Sequence, residues 1–235
     1  YGFGELSFVP DAVPELDWQE LVTEATFLGR CFKAPLLISG MTGGIQQGEE
    51  INLRLAAAAD HLGIPMGVGS QRIACEEHHH QRIFTMKRRY PSLFLLGNLG
   101  CAQLVGPRGL DMARQAVEMI DADALVVHLN VVQECLQVEG NRSFKGLLNR
   151  LEQLCGCLEI PVLVKEVGCG ISADTAERLR TTGIAALDIA GKGGTSWGFI
   201  EGMRSADPAH FALAQTFRNW GIPTAYSVAA IHRKF

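Results

Sequence analysis

The sequence predicts an α/β chain folded as a (β/α)8 barrel, with its final βα units missing from the 235 residues. Three observations carry this reading. Short apolar runs recur along the chain, helical stretches separate them, and each run ends in a polar or glycine-rich cluster. An open doubly wound sheet also alternates strands and helices, but it gathers ligand groups at one switch point. A barrel points every strand C-terminus at one mouth, so polar groups at the end of each strand favour the barrel.

The apolar runs are Leu36-Leu37-Ile38, Pro65-Met66-Gly67-Val68, Leu93-Phe94-Leu95-Leu96, Ala124-Leu125-Val126-Val127, Val162-Leu163-Val164 and Ala186-Leu187-Asp188-Ile189. They read as strands buried on both faces. Their centres fall near 37, 66, 94, 126, 163 and 187, and one βα unit takes about 30 residues. Between them, Glu49–Leu62 carries Ile51, Leu55 and Leu62 at helical spacing, and Gly109–Ile120 carries Leu110, Ala113, Val117 and Ile120. Ser172 can cap a helix that stops at Gly183, and Pro208–Trp220 reads as another, stopped at Gly221. A weaker seventh strand is expected at Pro223–Val228. The remaining units are expected after Phe235, where such barrels commonly bind phosphate. Tyr1–Arg30 is a non-repeating lead-in, expected to cap one end of a single domain spanning 1–235.

Composition narrows the function. Hydrophobic residues at 47% and charged residues at 20% exclude a disordered or fibrous chain. A net charge of −4 gives no nucleic-acid footprint and no basic membrane face. The apolar runs are too short to span a bilayer. Seven scattered cysteines without a CxxC pair read as reduced thiols in a cytoplasmic enzyme. Tyr1–Asp17 lacks the pattern of a signal peptide.

The strand-end clusters carry the chemistry. Gly40-Met41-Thr42-Gly43-Gly44 reads either as a tight βα turn or as a loop whose backbone N–H groups and Thr42 hydroxyl meet a ligand. Ser70-Gln71-Arg72 offers three hydrogen-bonding side chains, with Arg72 suited to a phosphate or to a surface ion pair. In His128-Leu129-Asn130-Val131-Val132-Gln133-Glu134, His128 and Asn130 share one side of the strand end. His128 is a candidate acid, base or hydrogen-bonding group. Glu134 is a candidate ligand for a hard cation. Lys165 ends an apolar strand and calls for an anion. Glu166, the alternative partner, points to the opposite face. Gly191–Trp197 looks like a phosphate or flavin loop, although it matches neither the P-loop nor the GxGxxG spacing. His78-His79-His80 reads as a solvated helix face, because adjacent helical side chains diverge by about 100°.

Together these segments resemble one family, the flavin-dependent type 2 isopentenyl-diphosphate isomerases. The similar segments are Met41-Thr42-Gly43-Gly44, Gly67 to Arg72, Asn98-Leu99-Gly100, His128-Leu129-Asn130 with Gln133-Glu134, Gly140 to Phe144, Lys165 to Gly168, and Gly193 to Trp197. They run in family order from about Phe8 to Thr224. The resemblance implies an FMN-binding (β/α)8 barrel that converts isopentenyl diphosphate to dimethylallyl diphosphate. It implies that Gly40, Met41, Thr42, Ser70, Asn98, Lys165 and Thr195 contact FMN. Ser70, Gln71, Arg72 and Gln133 would hold the diphosphate substrate, and Glu134 would bind Mg²⁺. His128, Asn130 and Gln133 would line the reacting pocket as the candidate catalytic residues. Reduced FMN would be the acid–base agent, and NADPH would serve only to reduce it. Assembly as a homotetramer or octamer is also implied. The chain departs from the family in lacking an initial Arg-Lys segment, a later Gly-Gly-x-Arg loop and a Gly-Ala loop for the FMN phosphate. Ala190 stands where some members have Ser.

Two alternatives remain at this point. An FMN-dependent 2-hydroxy-acid oxidase would use the same barrel, but Gly191–Trp197 has neither the His nor the Arg that its chemistry requires. A non-catalytic barrel that binds a phosphorylated ligand would leave the His128, Gln133 and Glu134 cluster without a task.

Overall fold

The computed structural model describes residues 2–45 and 47–235. A hairpin, β1 (Ala25–Phe27) and β2 (Arg30–Phe32), precedes the repeating units. The units then follow in order: α1 (Gly48–Leu62), β3 (Met66–Gly67), α2 (Arg72–Glu76), β4 (Leu95–Gly100), α3 (Cys101–Leu104), α4 (Gly109–Ile120), β5 (Ala124–Leu129), α5 (Val131–Leu136), α6 (Leu147–Cys157), β6 (Val162–Glu166), α7 (Ala173–Arg180), β7 (Ala186–Asp188), α8 (Trp197–Arg204), α9 (Pro208–Thr216) and α10 (Thr224–Lys234).

The sheet order is β3-β4-β5-β6-β7, and every pairing is parallel. Spatial order therefore equals chain order, with no reversal and no switch point among the described residues. That is barrel winding rather than doubly wound winding. Isolated parallel bridges carry the progression one step further at each side, Ile38 to Met66 and Lys192 to Pro223. The result is a curled parallel sheet, a partial (β/α)8 barrel.

Local chemistry explains the helices. Ser172 Oγ accepts from the Thr175 N–H at 3.1 Å and starts α7, and Gly183 turns the chain at φ +84°. Asp207 caps α9, with Pro208 at its first position. That helix stops at Thr216, four residues short of the expected Trp220, because the chain tightens into turns at Phe217–Trp220 before Gly221. The expected seventh strand is also corrected. Pro223 makes one bridge, and Thr224 onward is helical, since Ala225 and Ser227 are buried at the start of an otherwise exposed amphipathic stretch. Leu36-Leu37-Ile38 pairs only at Ile38. Leu36 is 63% exposed because this run is the sheet edge, with no strand on its other side among the described residues.

Of the expected lead-in, only its end, the hairpin β1–β2, reaches the sheet; residues 3–24 are exposed. Phe27, Leu28 and Phe32 of the hairpin pack against Phe94, Leu96, Val126 and Leu163, which face the lumen. Phe32 meets Phe94 edge to face, with ring centroids 5.3 Å apart. On the outer face, Leu99, Leu125, Val127, Val162 and Val164 pack under the helices with Ala113, Ala116, Leu151 and Leu154.

Candidate active site

Strand alternation builds the site. Leu96, Val126, Leu163 and Ala186 face the lumen and form an apolar floor with the hairpin. Two residues further along each strand, the same face carries Asn98, His128, Lys165 and Asp188. The lumen wall thus switches from apolar to polar at the C-terminal ends of β4 to β7. A cleft of about 850 Å³ opens there.

Of the residues singled out from the sequence, Gly40, Met41, Ser70, Arg72, Asn98, His128, Asn130, Gln133, Glu134, Lys165 and Thr195 line this cleft. Thr42 and Gln71 do not. The Thr42 carbonyl accepts from the Gly69 N–H at 3.0 Å and ties the first loop to the second. Gln71 is fully buried: its Nε2 donates to the Ala116 carbonyl at 2.8 Å, and its Oε1 accepts from the Asn98 N–H at 2.9 Å. It fastens β4 to α4 instead of facing the mouth. Arg72 is solvent-exposed and makes no ion pair among the described residues, so its guanidinium is free to meet an anion.

Asn98 sets the state of His128. Asn98 Nδ2 donates to the Val68 carbonyl at 2.9 Å, which fixes the amide and turns Oδ1 toward the imidazole. His128 Nδ1 lies 2.7 Å from that oxygen and must be the protonated nitrogen. Nε2 is left as an acceptor. Burial, then the Lys165 ammonium and the Arg72 guanidinium, push the His128 pKa down to about 3. The imidazole is therefore neutral in the free site.

Asn130 precedes α5 and organises its first turn. Its Nδ2 donates to Glu134 Oε1 at 3.1 Å, and the other oxygen, Oε2, accepts from the Asn141 N–H at 2.7 Å. Glu134 is a buried carboxylate held only by neutral donors, and it pairs with no Lys or Arg among the described residues. A carboxylate presented in this way suits Mg²⁺, which takes one or two protein carboxylates together with substrate phosphate oxygens and water.

Lys165 is buried, and Nζ donates to the Glu166 carbonyl at 2.9 Å. The Glu166 carboxylate turns away and accepts from the N–H groups of Val167, Gly168 and Cys169. The expectation that these adjacent side chains do not pair is met. Burial pushes the ammonium below its usual range, while Asp188 and Glu166 oppose the shift. Asp188, beside Lys165 in register, was not singled out from the sequence.

The sequence reading also missed Glu201 and Arg204 on α8, which line the cleft. Glu201 Oε1 accepts from Gln133 Nε2 at 2.9 Å, and Arg204 donates to Glu201 at 2.7 Å. Their spacing, i and i+3 after the glycine-rich loop, was the available signal, but the cleft position depends on α8 folding back over α5. Gly40 makes a further close contact. A Cβ there would lie 2.0 Å from the Val68 carbonyl oxygen, so only glycine lets the first loop reach the second strand.

No family model matches the chain. Individual relatives do. It is 50% identical over 231 residues to an isopentenyl-diphosphate delta-isomerase of Xanthobacter autotrophicus, covering 98% of this chain and 67% of that protein. It is 46% identical over 235 residues to the enzyme of the same name from Cronobacter sakazakii, covering 100% of this chain and 68% of that one. The chain belongs to the isopentenyl-diphosphate delta-isomerase family. The enzyme class follows: an isomerase acting in isoprenoid chemistry. Among solved structures, a soluble mutant of the (S)-mandelate dehydrogenase from Pseudomonas putida matches with a TM-score of 0.55 at 18% identity, covering 77% of this chain and 57% of that one. A mutant of an active chimera of (S)-mandelate dehydrogenase matches at 0.57 and 16% identity, over 88% and 65%. These likenesses show the shared barrel fold. Among the described residues, no helix is long and apolar enough to cross a membrane.

Within this isomerase family, the cleft can be tested against a flavin. A slot lined by Val68, Leu96, Val126, Leu163 and Leu187 opens beside Gly40, Asn98, Lys165 and Ala190, which also line the cleft. An apolar slot rimmed by amide, ammonium and backbone groups fits a planar heteroaromatic ring with a polar edge.

Proposed function

We propose that this chain is the barrel of a type 2 isopentenyl-diphosphate isomerase, in which FMN, Mg²⁺ and the diphosphate substrate meet in the cleft. The observation that carries the proposal is how the acid–base groups are committed. Moving the double bond requires one proton to be added at carbon and another removed from a neighbouring carbon. Glu134 is held by Asn130 and Asn141, and Glu201 by Gln133 and Arg204, while His128 is neutral with Nδ1 bonded to Asn98. Reduced FMN, when bound, supplies the acid–base chemistry that these side chains do not.

The chain's own residues bind and orient. Gly40, Met41, Thr42, Ser70, Asn98, Lys165 and Thr195 are the proposed FMN contacts, Thr42 through its loop backbone. The Lys165 ammonium favours an anionic flavin edge. Arg72 and Ser70 grip the diphosphate, and Gln71 supports them from below by fixing the strand end. Glu134 holds Mg²⁺ against the phosphate oxygens, which neutralises charge and fixes the pose. Gln133, aimed by Glu201, faces the reacting part of the substrate beside His128 and Asn130. The reaction is redox-neutral, so NADPH is needed only to bring the flavin to its reduced state. A single domain over 1–235, a homotetrameric or octameric assembly and a cytoplasmic location belong to the same reading and rest on the family resemblance.

The 2-hydroxy-acid oxidase reading is weaker. Its support is the fold likeness, and Gly191–Trp197 lacks His and Arg. The deciding experiment incubates the full-length protein anaerobically with FMN, NADPH, Mg²⁺ and isopentenyl diphosphate in D₂O. Deuterated dimethylallyl diphosphate, seen by NMR and absent without FMN, is the expected result. No product despite reduced flavin and bound substrate would overturn the proposal. Glu134→Gln should raise the Mg²⁺ concentration needed for half-maximal rate by about 10-fold or more, as loss of a ligand weakens a metal site. An unchanged Mg²⁺ titration would refute its role.

A further inference from the structure

A second group of metal-ligating side chains lies away from the cleft. α2 ends at Glu76, and Glu77 stands in extended backbone before a 3₁₀ helix, His78–Phe84. A 3₁₀ helix has three residues per turn, so Glu77 and His80 share one edge. His79 stands beside them, and its ring lies 4.0 Å from that of His80, centroid to centroid. Glu77 Oε2 is 3.6 Å from His79 Nε2 and 3.6 Å from His80 Nε2, and the three ligand atoms lie within 4.8 Å of one another. The solvated face expected of the three histidines is thus only part of the picture: two of them converge on a carboxylate. His78 is not in the group, because its Nδ1 is bonded by Gln81 at 2.8 Å.

These separations are too long for hydrogen bonds. They are close to the edges of a tetrahedron around a metal whose N and O ligands stand at about 2.0–2.2 Å. The nearby cation, Arg82, is drawn off by Glu49 at 3.4 Å. Among the described residues, Glu77 pairs with no Lys or Arg. The turn is well anchored: Ile83 and Phe84 are buried, and the Ile83 carbonyl accepts from Asn52 at 3.1 Å. Glu77 and His79 side chains are 56% and 72% exposed, so an ion can enter and the rings can close the last distance.

We propose that Glu77, His79 and His80 form a binding site for one divalent cation of the zinc class, separate from the cleft. Two imidazoles and one carboxylate select zinc, nickel or copper over magnesium. Three ligands leave the fourth position to water. Glu134, surrounded by oxygen and amide groups, serves a different kind of ion.

The test is calorimetric titration of chelator-stripped full-length protein with Zn²⁺, and with Co²⁺ followed by its visible absorption. One Zn²⁺ per chain is expected. His79→Asn, His80→Asn and Glu77→Gln should each weaken it by at least about 10-fold, the lower end of what even an outer partner costs a metal site. Glu134→Gln should leave it unchanged, and the two histidine variants should keep wild-type isomerase activity with Mg²⁺. The proposal is overturned if wild-type protein takes up no Zn²⁺. It is equally overturned if uptake survives all three substitutions, which would place the ion on the free cysteines, or if it disappears in Glu134→Gln, which would place it in the cleft.

Discussion

Asn98 decides how the neighbouring residues behave. By spending Nδ2 on Val68 it leaves only Oδ1 for His128, which fixes the tautomer and keeps the ring neutral. The consequence for pH follows from the sign of the shift. An unfolded histidine takes up its proton near pH 6.5, whereas the folded one does so at about 3. Between those values the unfolded chain binds the extra proton, so His128 makes stability fall as pH drops from about 6.5 toward 3. The urea midpoint of the wild type should fall more steeply between pH 7 and 5 than that of His128→Asn; equal slopes would contradict the assignment. Gly40 offers a second test. The Cβ of Gly40→Ala would meet backbone 2.0 Å away, not a movable side chain. A loss of about 1–3 kcal/mol on denaturation is expected from such overpacking, with weaker flavin binding read by fluorescence.

At the scale of elements, α5 carries Gln133 and Glu134, while α8 and α9 hold it from outside. His210 of α9 is bonded to the Leu136 carbonyl at the end of α5, and Glu201 of α8 holds Gln133. Gly202 makes the pairing of α8 with α9 possible, since a Cβ there would lie 2.1 Å from the Ala214 Cβ. Gly202→Ala should cost about 1–3 kcal/mol and, by tilting α8, lower kcat more than it raises KM. A variant of wild-type kcat would show that α8 does not position Gln133. Helix boundaries were legible where one local device sets them: α4 begins at Gly109 and ends at Ile120 as its apolar spacing required. The end of α9 was not, because it depends on how Phe217 and Trp220 pack against each other.

For the whole molecule, the lead-in hairpin and the strands act as one unit. Phe32 is 6% exposed and fills the lumen opposite the cleft. Phe32→Ala should cost about 3–5 kcal/mol, the usual range for a buried aromatic. A single cooperative urea transition at lower midpoint is the expected result; an unchanged midpoint would mean that the hairpin is not part of the core.

The sequence by itself determined the order of βα units, the barrel rather than the doubly wound sheet, and the strand-end residues that face the cleft from β4 to β6. These strands carry a polar residue on the lumen face just after an apolar one, as Val126 precedes His128 and Leu163 precedes Lys165. That pattern has period two and is local, so it can be read without a partner. Tertiary structure alone decided where Gln71 points, what Glu201 and Arg204 hold, and which histidines meet Glu77. The Gln71 amide is taken by Ala116 and Asn98, which lie far along the chain. Glu201 reaches Gln133 only because α8 folds back over α5. Hydrogen bonds between distant segments depend on packing, and no spacing rule within a single segment specifies them.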